Sequence, residues 1–314
     1  MIAEQVPSST KARNGISLDG QKNTSLFSDI KALFKLIVLV ANVLPVFTGF
    51  WLALYFSNLS IADHWGVFAL TIAGSTLVMG GALVMNNWYD VDIDRLMART
   101  QKRPTVTGTM SLKLVLTIGI SVSAIGFVLL LFTTMEAAIY GFIGWFTYVV
   151  LYTMWSKRRY AMNTLIGSVS GAVTPLIGWS AIDSAVHIVP IMLFVLIFIW
   201  QMPHTFAIAM RKCDEYRLAK VAMLPVVRGF KVTKQQMVVF IALLLPLPFF
   251  LTASLGMTFM IVATILNVAW LAMSIYGFYT KNDMAWSRIM FLYSVNYLTI
   301  LFVMMVVITL PIFH

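Results

Sequence analysis

Charged residues are scarce in this chain, and Asp, Glu, Lys and Arg together make up only 11% of its 314 residues. A soluble domain usually contains roughly 25%. Hydrophobic residues make up 60%, so an ordinary soluble globular fold is excluded. Acidic residues are the scarcest charged class, with 12 Asp and Glu against 22 Lys and Arg. The single cysteine, Cys213, excludes an intramolecular disulfide.

The chain contains several long apolar runs. Each run is near the roughly 20 residues that a helix needs to cross a bilayer. The sequence therefore predicts an all-α integral membrane protein, a bundle of nine transmembrane helices. The predicted helices lie near residues 33–56, 64–86, 111–133, 136–156, 162–182, 187–210, 235–254, 257–279 and 286–310.

The Lys and Arg residues alternate between connections in a way that predicts orientation. All 22 fall in the N-terminal tail, at the foot of the first helix, or in every second connection. By the positive-inside rule the N-terminus is cytoplasmic and the C-terminus at His314 external. The net charge of +10 then belongs to one membrane face, which argues against nucleic acid as a partner. Residues 1–32 are predicted to be a disordered cytoplasmic tail, and 33–314 a single transmembrane domain.

A dense charged segment, Asn86–Pro104, follows the second predicted helix. Asn86, Asp90 and Asp94 are spaced i, i+4, i+8, so they share one helix face and drift only about 40° per step. Three oxygen-bearing side chains at a membrane boundary suit a hard divalent cation. Asp92 lies about 200° from Asp90 on a helix and is expected to face away. The alternative is a solvated loop in which the Asp and Arg charges balance each other.

The same segment carries cations for a polyanion, namely Arg95, Arg99, Lys102 and Arg103. A second group follows the fourth predicted helix, where Lys157 and Arg158 come after aromatic residues. That group is typical of an interfacial anchor, or it reaches a diphosphate bound nearby. A metal site and guanidinium groups beside an apolar cavity would suit an apolar molecule with a diphosphate head.

A second acidic pair, Asp214 and Glu215, lies where the sixth predicted helix leaves the membrane. Four helices separate it from the first, so both are expected on the cytoplasmic side, as in a parallel repeat. The two sites together could hold Mg²⁺ and bind a diphosphate from both sides. Gln201 and His204 precede this pair on the same helix. His204 is either a hydrogen-bonded structural residue or a substrate contact.

Four segments carry a family resemblance. They are NNWYDVDIDRLMARTQKRP (Asn86–Pro104), YTMWSKRR (Tyr152–Arg159), NTLIGSVSGAVTPLIGW (Asn163–Trp179) and WQMPHTFAIAM…DEY…MLPVV (Trp200–Val227). Together they resemble the UbiA superfamily of intramembrane prenyltransferases, and within it the branch that farnesylates haem. The first segment alone indicates only the superfamily, whereas the PLIGW and WQMPH strings are typical of the haem branch. Glu215 stands where Asp is usual in that branch, and Lys220 where Gly is common.

The resemblance implies an Mg²⁺-dependent transferase with farnesyl diphosphate and haem B as substrates. The allylic cation would be attacked by the haem 2-vinyl group, and water would then add to leave a hydroxyethylfarnesyl substituent. The expected location is the cell membrane, with the active site facing the cytoplasm. Beyond the lipid bilayer, the implied partners are a downstream haem A synthase or a terminal oxidase.

The resemblance also assigns expected roles to residues of this chain. The expected metal ligands are Asn86, Asp90, Asp94 and Asp214, with Glu215 as a further catalytic carboxylate. The expected diphosphate-binding cations are Arg99, Lys102, Arg103, Lys157 and Arg158. The expected haem contacts are Tyr152, Gln201 and His204.

Two alternative functions share some of these features. A quinone-ring prenyltransferase of the same superfamily would use both acidic sites, but it gives no reason for the WQMPH and PLIGW strings. An ion-coupled transporter would also contain repeats and carboxylates in helices, although its ionisable residues are expected near the midplane of the membrane. Here they cluster at one face, which favours the enzyme.

Overall fold

The computed structural model describes residues 26–310, and in that range every regular element is a helix. The α-helices are α1 (Leu26–Leu33), α2 (Leu36–Phe56), α3 (Trp65–Tyr89), α4 (Val91–Asp94), α5 (Pro104–Thr107), α6 (Leu112–Leu131), α7 (Met135–Phe146), α8 (Asn163–Ala172), α9 (Thr174–Ser180), α10 (Ile188–Arg211), α11 (Cys213–Leu218), α12 (Leu224–Leu244), α13 (Leu247–Tyr276) and α14 (Asp283–Ile308). A 3₁₀ turn at Ile61–Asp63 and a π-helix at Thr147–Ser156 complete the set. The all-helical prediction is confirmed.

Seven helical stretches of the described chain are long and apolar enough to cross a membrane. They differ from the nine predicted segments in two places. The segment predicted at 162–182 is divided into α8 and α9, because Pro175 lies in the first turn of a new helix and cannot donate to the preceding one. The segments predicted at 235–254 and 257–279 fall in one stretch of 53 residues, Leu224–Tyr276. A non-helical residue, Gly256 with φ 82°, still breaks that stretch close to the predicted boundary.

The start of the described chain differs from the predicted disordered tail over 1–32. Residues 1–25 lie outside the described residues, but Leu26–Leu33 form α1. Leu33 is fully buried against Val84 of α3 and Val115 of α6. The Leu33 carbonyl also accepts a hydrogen bond of 2.6 Å from Asn87 Nδ2. The tail prediction is therefore wrong for residues 26–32, since they form a helix whose last residue, Leu33, packs onto the bundle.

Close backbone contact fixes α3, the helix whose last turn begins the charged segment Asn86–Pro104. This segment is called the first acidic segment below. A Cβ at Gly81 of α3 would lie 2.7 Å from the Gly119 carbonyl oxygen of α6. A Cβ at Gly126 of α6 would lie 2.6 Å from the Val78 amide nitrogen of α3. Only glycine permits this approach, as in other membrane helix pairs with small residues at the interface. The pair forms a rigid support for the charged residues that follow.

The π-helix lies beside the α3–α6 pair and occupies the end of the predicted fourth segment, 136–156. Such helices are rare and often occur at functional sites. Val149 packs against Ala82 and Met85 of α3. One turn later, Thr153 Oγ accepts a hydrogen bond of 3.1 Å from Asn86 Nδ2. The π-helix therefore brings the chain that carries Lys157 against the first acidic segment.

Candidate active site

The predicted stripe Asn86, Asp90 and Asp94 exists and is buried. The three residues are 3%, 0% and 1% exposed. Asp90 follows the end of α3, and the Asp94 amide donates to the Asp90 carbonyl at 2.9 Å, so the helical register continues into α4. Asn86 Nδ2 donates to Asp90 Oδ2 at 2.7 Å. Helical periodicity therefore places these side chains on one face, as the spacing predicts.

Each member of the stripe contacts a cation from another part of the chain. With Arg158, whose Nη2 lies 3.5 Å from Asp90 Oδ1, four basic side chains lie against a stripe that holds two carboxylates, which favours an anionic ligand. The pairs are Lys35 with the Asn86 amide oxygen, Lys157 with Asp90, and Arg103 with Asp94.

Local structure turns Arg103 back towards the stripe. Pro104 occupies the first turn of α5, and Arg103 before it is extended, as is usual for a residue that precedes proline. Thr100 Oγ donates to the Asp94 carbonyl at 2.8 Å, which folds the intervening loop. Arg103 thereby reaches Asp94 nine residues earlier.

Lys35 is a site residue that the sequence did not identify. It lies between α1 and α2 in the left-handed conformation, with φ 48°. Burial lowers the pKa of the Lys35 ammonium, and the nearby charges of Arg103 and Lys157 lower it further. The only available signal was its position at the start of the first predicted helix, on the side predicted to be cytoplasmic.

Asp92 faces away from the stripe, as its helical position predicts, and is 60% exposed at the side chain. It nevertheless accepts two hydrogen bonds from Arg158, at 2.7 and 2.8 Å. The Arg158 guanidinium also lies 5.1 Å from the centre of the Tyr89 ring. The Arg158 hydrogen bond lowers the pKa of the Asp92 carboxyl, and that same bond raises the pKa of Arg158. Its outward position on the helix predicted no role for it, and helical periodicity does not reveal a partner 66 residues away.

The second acidic pair reaches the first segment through Glu215. Asp214 is 86% exposed at the side chain and pairs with Arg217 at 2.5 Å. Glu215 instead accepts from Lys212 at 2.7 Å, and its Oε2 lies 3.9 Å from Arg99 Nε. Both acidic segments are therefore on one side of the molecule, as predicted.

Apolar packing holds the two acidic segments together. Ile93 and Met97 of the first segment belong to a buried cluster with residues from the end of α10 and the loop after α11. The remaining buried members of that cluster are Ala209, Ala219, Val221 and Met223. Cys213 at the start of α11 is also buried, and the Asp214 side chain on the next residue is directed to solvent.

The donor chemistry of these residues fits a hard divalent cation. In residues 26–310 no three or more His, Cys, Asp or Glu side chains lie close enough to hold a metal ion together. However, the Asn86 amide and the Asp90 and Asp94 carboxylates provide buried oxygen donors. Glu215 Oε2 is buried and accepts no hydrogen bond from the described residues. Lysine and arginine side chains contact the oxygens of the stripe in this structure. An anionic ligand that attracted these side chains would leave the stripe oxygens available to a metal ion.

The predicted diphosphate-binding cations are not equivalent. Lys157 and Arg103 contact the carboxylates of the stripe, and Arg158 Nη2 lies 3.5 Å from Asp90 Oδ1. Arg99 joins the two acidic segments through Glu215. Lys102 is exposed.

The three predicted haem contacts do not all face the same helix. Tyr152 and Gln201 pack on the small-residue face of α8, where a Cβ at Gly167 or Gly171 would meet them at 2.9 and 1.8 Å. His204 instead faces α14. Its Nδ1 lies 2.8 Å from Ser294 Oγ.

His204 also has aromatic neighbours on both helices. Its ring stacks on Trp200 with 4.6 Å between ring centres, and the Phe291 ring centre lies 5.2 Å away. The hydrogen-bonded structural role considered for this residue therefore describes its contacts in this structure.

Comparisons with known proteins agree with the resemblance. The sequence pattern described as the UbiA prenyltransferase family matches residues 42–295. The chain is 53% identical over 293 residues to a protoheme IX farnesyltransferase of Oceanobacillus iheyensis, with 93% of each chain covered. It is 51% identical over 302 residues to a protoheme IX farnesyltransferase of Bacillus licheniformis, with 96% of this chain and 98% of that one covered.

Solved structures match the fold. A structure of digeranylgeranylglyceryl phosphate synthase aligns with a TM-score of 0.73 at 18% identity and covers 90% of this chain and 98% of that one. A UbiA homolog from Archaeoglobus fulgidus bound to DMAPP and Mg²⁺ aligns with a TM-score of 0.66 at 16% identity, with 87% of this chain and all of that one covered. At these identities the match establishes the fold alone.

Proposed function

The chain belongs to the UbiA prenyltransferase family, and on that premise we propose that it transfers the farnesyl group of farnesyl diphosphate to the 2-vinyl group of haem B. Water adds to the product cation, which gives haem O and diphosphate. The observation that carries the proposal is the buried stripe of Asn86, Asp90 and Asp94, faced by cations at the end of an apolar bundle. The relatives at 51% and 53% identity support haem as the acceptor.

The proposed metal site uses oxygen donors of both acidic segments. Asn86, Asp90, Asp94 and Asp214 would hold Mg²⁺, and Glu215 is a further carboxylate whose buried Oε2 accepts no hydrogen bond from the described residues. When bound, Mg²⁺ would supply positive charge for the departing diphosphate. Asp214 now pairs with Arg217 on the surface, so its participation requires a change of side-chain rotamer.

In the proposed mechanism the Lys and Arg side chains at the stripe exchange their carboxylate partners for oxygens of the diphosphate. As the allylic carbon–oxygen bond breaks, the bonding electrons go to the diphosphate oxygen. Preorganised cations stabilise this developing charge, which is usually the largest catalytic effect. Lys157 and Arg103 already lie at the stripe. The cations assigned to the diphosphate are Arg99, Lys102, Arg103, Lys157 and Arg158.

Attack by the vinyl group on the allylic carbon forms the new carbon–carbon bond. The resulting cation takes up water and releases a proton, so no strongly activated base is needed. Exclusion of water from the first, allylic cation is more important, and a site inside an apolar bundle provides it. The proposed haem contacts are Tyr152, where the π-helix faces α8, Gln201, where α10 faces α8, and His204, where α10 faces α14.

The proposed topology has nine transmembrane helices with a cytoplasmic N-terminus and an external C-terminus. In this count α8 and α9 together form one crossing, and the break at Gly256 separates two others. The one-sided distribution of Lys and Arg supports an active site that faces the cytoplasm. A haem A synthase or a terminal oxidase would then receive the product.

The test is mass spectrometry of haems formed in membranes that contain this chain. Membranes with the chain, haem B, farnesyl diphosphate and Mg²⁺ should yield haem O. Asp90→Ala and Asp94→Ala should abolish the product while the protein still inserts, and removal of Mg²⁺ with EDTA should do so reversibly. A parallel reaction with an aromatic acid tests the quinone-ring alternative. Prenylation of that acid without a haem product would contradict the proposal.

A further inference from the structure

Arg158 is held more precisely than the other cations near the stripe. Its Nη1 and Nη2 groups donate to the two carboxylate oxygens of Asp92 at 2.7 and 2.8 Å. The Tyr89 ring lies under the guanidinium at 5.1 Å, and the Tyr89 carbonyl accepts from Nη2 at 3.4 Å. A two-point carboxylate contact fixes the plane of a guanidinium as well as its position.

These contacts use the Nη1 and Nη2 groups of Arg158 and leave its Nε–H without an acceptor among the described residues. Arg158 Nε is buried and has no hydrogen-bond partner among the described residues. The same guanidinium lies beside the stripe, with Nη2 3.5 Å from Asp90 Oδ1. A buried N–H without a partner is unfavourable. A ligand oxygen at the stripe would satisfy it.

The Asp92–Arg158 contact has little value as a stabilising element alone. The side chains are 60% and 33% exposed, and exposed ion pairs contribute little to folding. Asp92 also faces away from Asn86, Asp90 and Asp94, so it does not join them as a ligand. The side chain that its carboxylate binds is Arg158, beside local backbone hydrogen bonds at Ile93 and at Asp92 itself. Lys157, which precedes Arg158 in the chain, contacts Asp90.

We propose that Asp92 is a positioning residue of the diphosphate site, which orients Arg158 so that its free Nε–H, together with the adjacent Lys157, binds a diphosphate oxygen. Asp92 itself touches no substrate. The inference rests on the proposed function, since it assumes that a diphosphate group binds at the stripe.

The test measures binding of inorganic diphosphate, in the presence of Mg²⁺, to the full chain in nanodiscs by calorimetry. Asp92→Asn should weaken binding about tenfold, because a charge-assisted hydrogen bond of the ligand is misdirected. Asp92→Glu should restore most of the affinity. In an Arg158→Ala background, Asp92→Asn should cause no further loss, since Asp92 acts through Arg158.

A matched control is Asp283→Asn, which removes another cytoplasmic-side ion pair, Asp283 with Lys234 at 2.5 Å. It should leave diphosphate affinity unchanged even where it lowers thermal stability. Unchanged affinity in Asp92→Asn, or an equal additional loss in the Arg158→Ala background, would overturn the positioning role. A wild-type chain that binds no diphosphate would instead contradict the proposed function itself.

Discussion

Replacing Lys157 by methionine should separate the structural from the catalytic role of the stripe. Lys157 contacts Asp90, and their side chains are 13% and 1% exposed. Removal of one partner from a buried ion pair costs about 3–5 kcal/mol where it leaves the other charge without compensation. Asp90 keeps the 2.7 Å hydrogen bond from Asn86 and the 3.5 Å contact with Arg158. The expected loss for Lys157→Met is therefore about 3 kcal/mol, at the lower end of that range.

The double variant Lys157→Met with Asp90→Asn provides the decisive comparison. It removes both charges, so no unpaired carboxylate remains, and replacement of a buried pair by neutral residues is often close to neutral. The double variant should therefore be more stable than Lys157→Met alone. Its farnesyl transfer should remain absent, because both the metal ligand and the diphosphate cation are missing.

The assay combines thermal unfolding in detergent with haem mass spectrometry. A loss of about 3 kcal/mol corresponds to a melting temperature lower by about 6–12 °C, on the scale of soluble domains. Lys234→Met serves as the control, because Lys234 is also a buried lysine paired with an aspartate, Asp283. This control should lose stability and keep turnover by the folded protein. A double variant that is no more stable than Lys157→Met would refute the ion-pair reasoning.

Three further predictions concern single positions. Lys220 has φ 53°, so Lys220→Gly should relieve left-handed strain and raise the melting temperature by the equivalent of about 0.5–1 kcal/mol; a lower melting temperature would contradict this. Gly81→Val should prevent correct packing, since a Cβ there would lie 2.1 Å from a serine oxygen of α6. Gly66→Ala should express and fold normally, since no atom of the described residues lies within 4 Å of the added Cβ. Because Arg158 lowers the pKa of Asp92, the stabilisation from this pair is complete above the usual aspartate pKa and lost only as the pH falls through the lowered value. The melting-temperature difference between wild type and Asp92→Asn should thus stay constant from pH 7 to 5, and a decline in that interval would contradict the assignment.

The parts of the site that sequence could predict are those set by local periodicity. Asn86, Asp90 and Asp94 share a face because one helical register runs through α3 and α4. The outward position of Asp92 follows from the same register. The place of the stripe at the end of an apolar helix follows from composition.

The parts that sequence could not predict depend on tertiary contacts. Lys35 reaches Asn86 from 51 residues away, through a left-handed corner that no periodic pattern encodes. The choice of Glu215 over Asp214 as the residue near Arg99 depends on the rotation of α11, a helix of six residues. The subdivision into α8 and α9 was signalled by Pro175, although an apolar run alone does not show where a helix is interrupted.

The corner at Lys35 has a practical consequence for how the chain can be shortened. A truncated version beginning at residue 36 would keep all seven of the long apolar helices, and it should still insert into a bilayer and pass a test of expression. It would lack the ammonium that meets Asn86 and the buried Leu33 that packs on α3 and α6. Purification tags and deletions are therefore better placed before Leu26, where α1 begins.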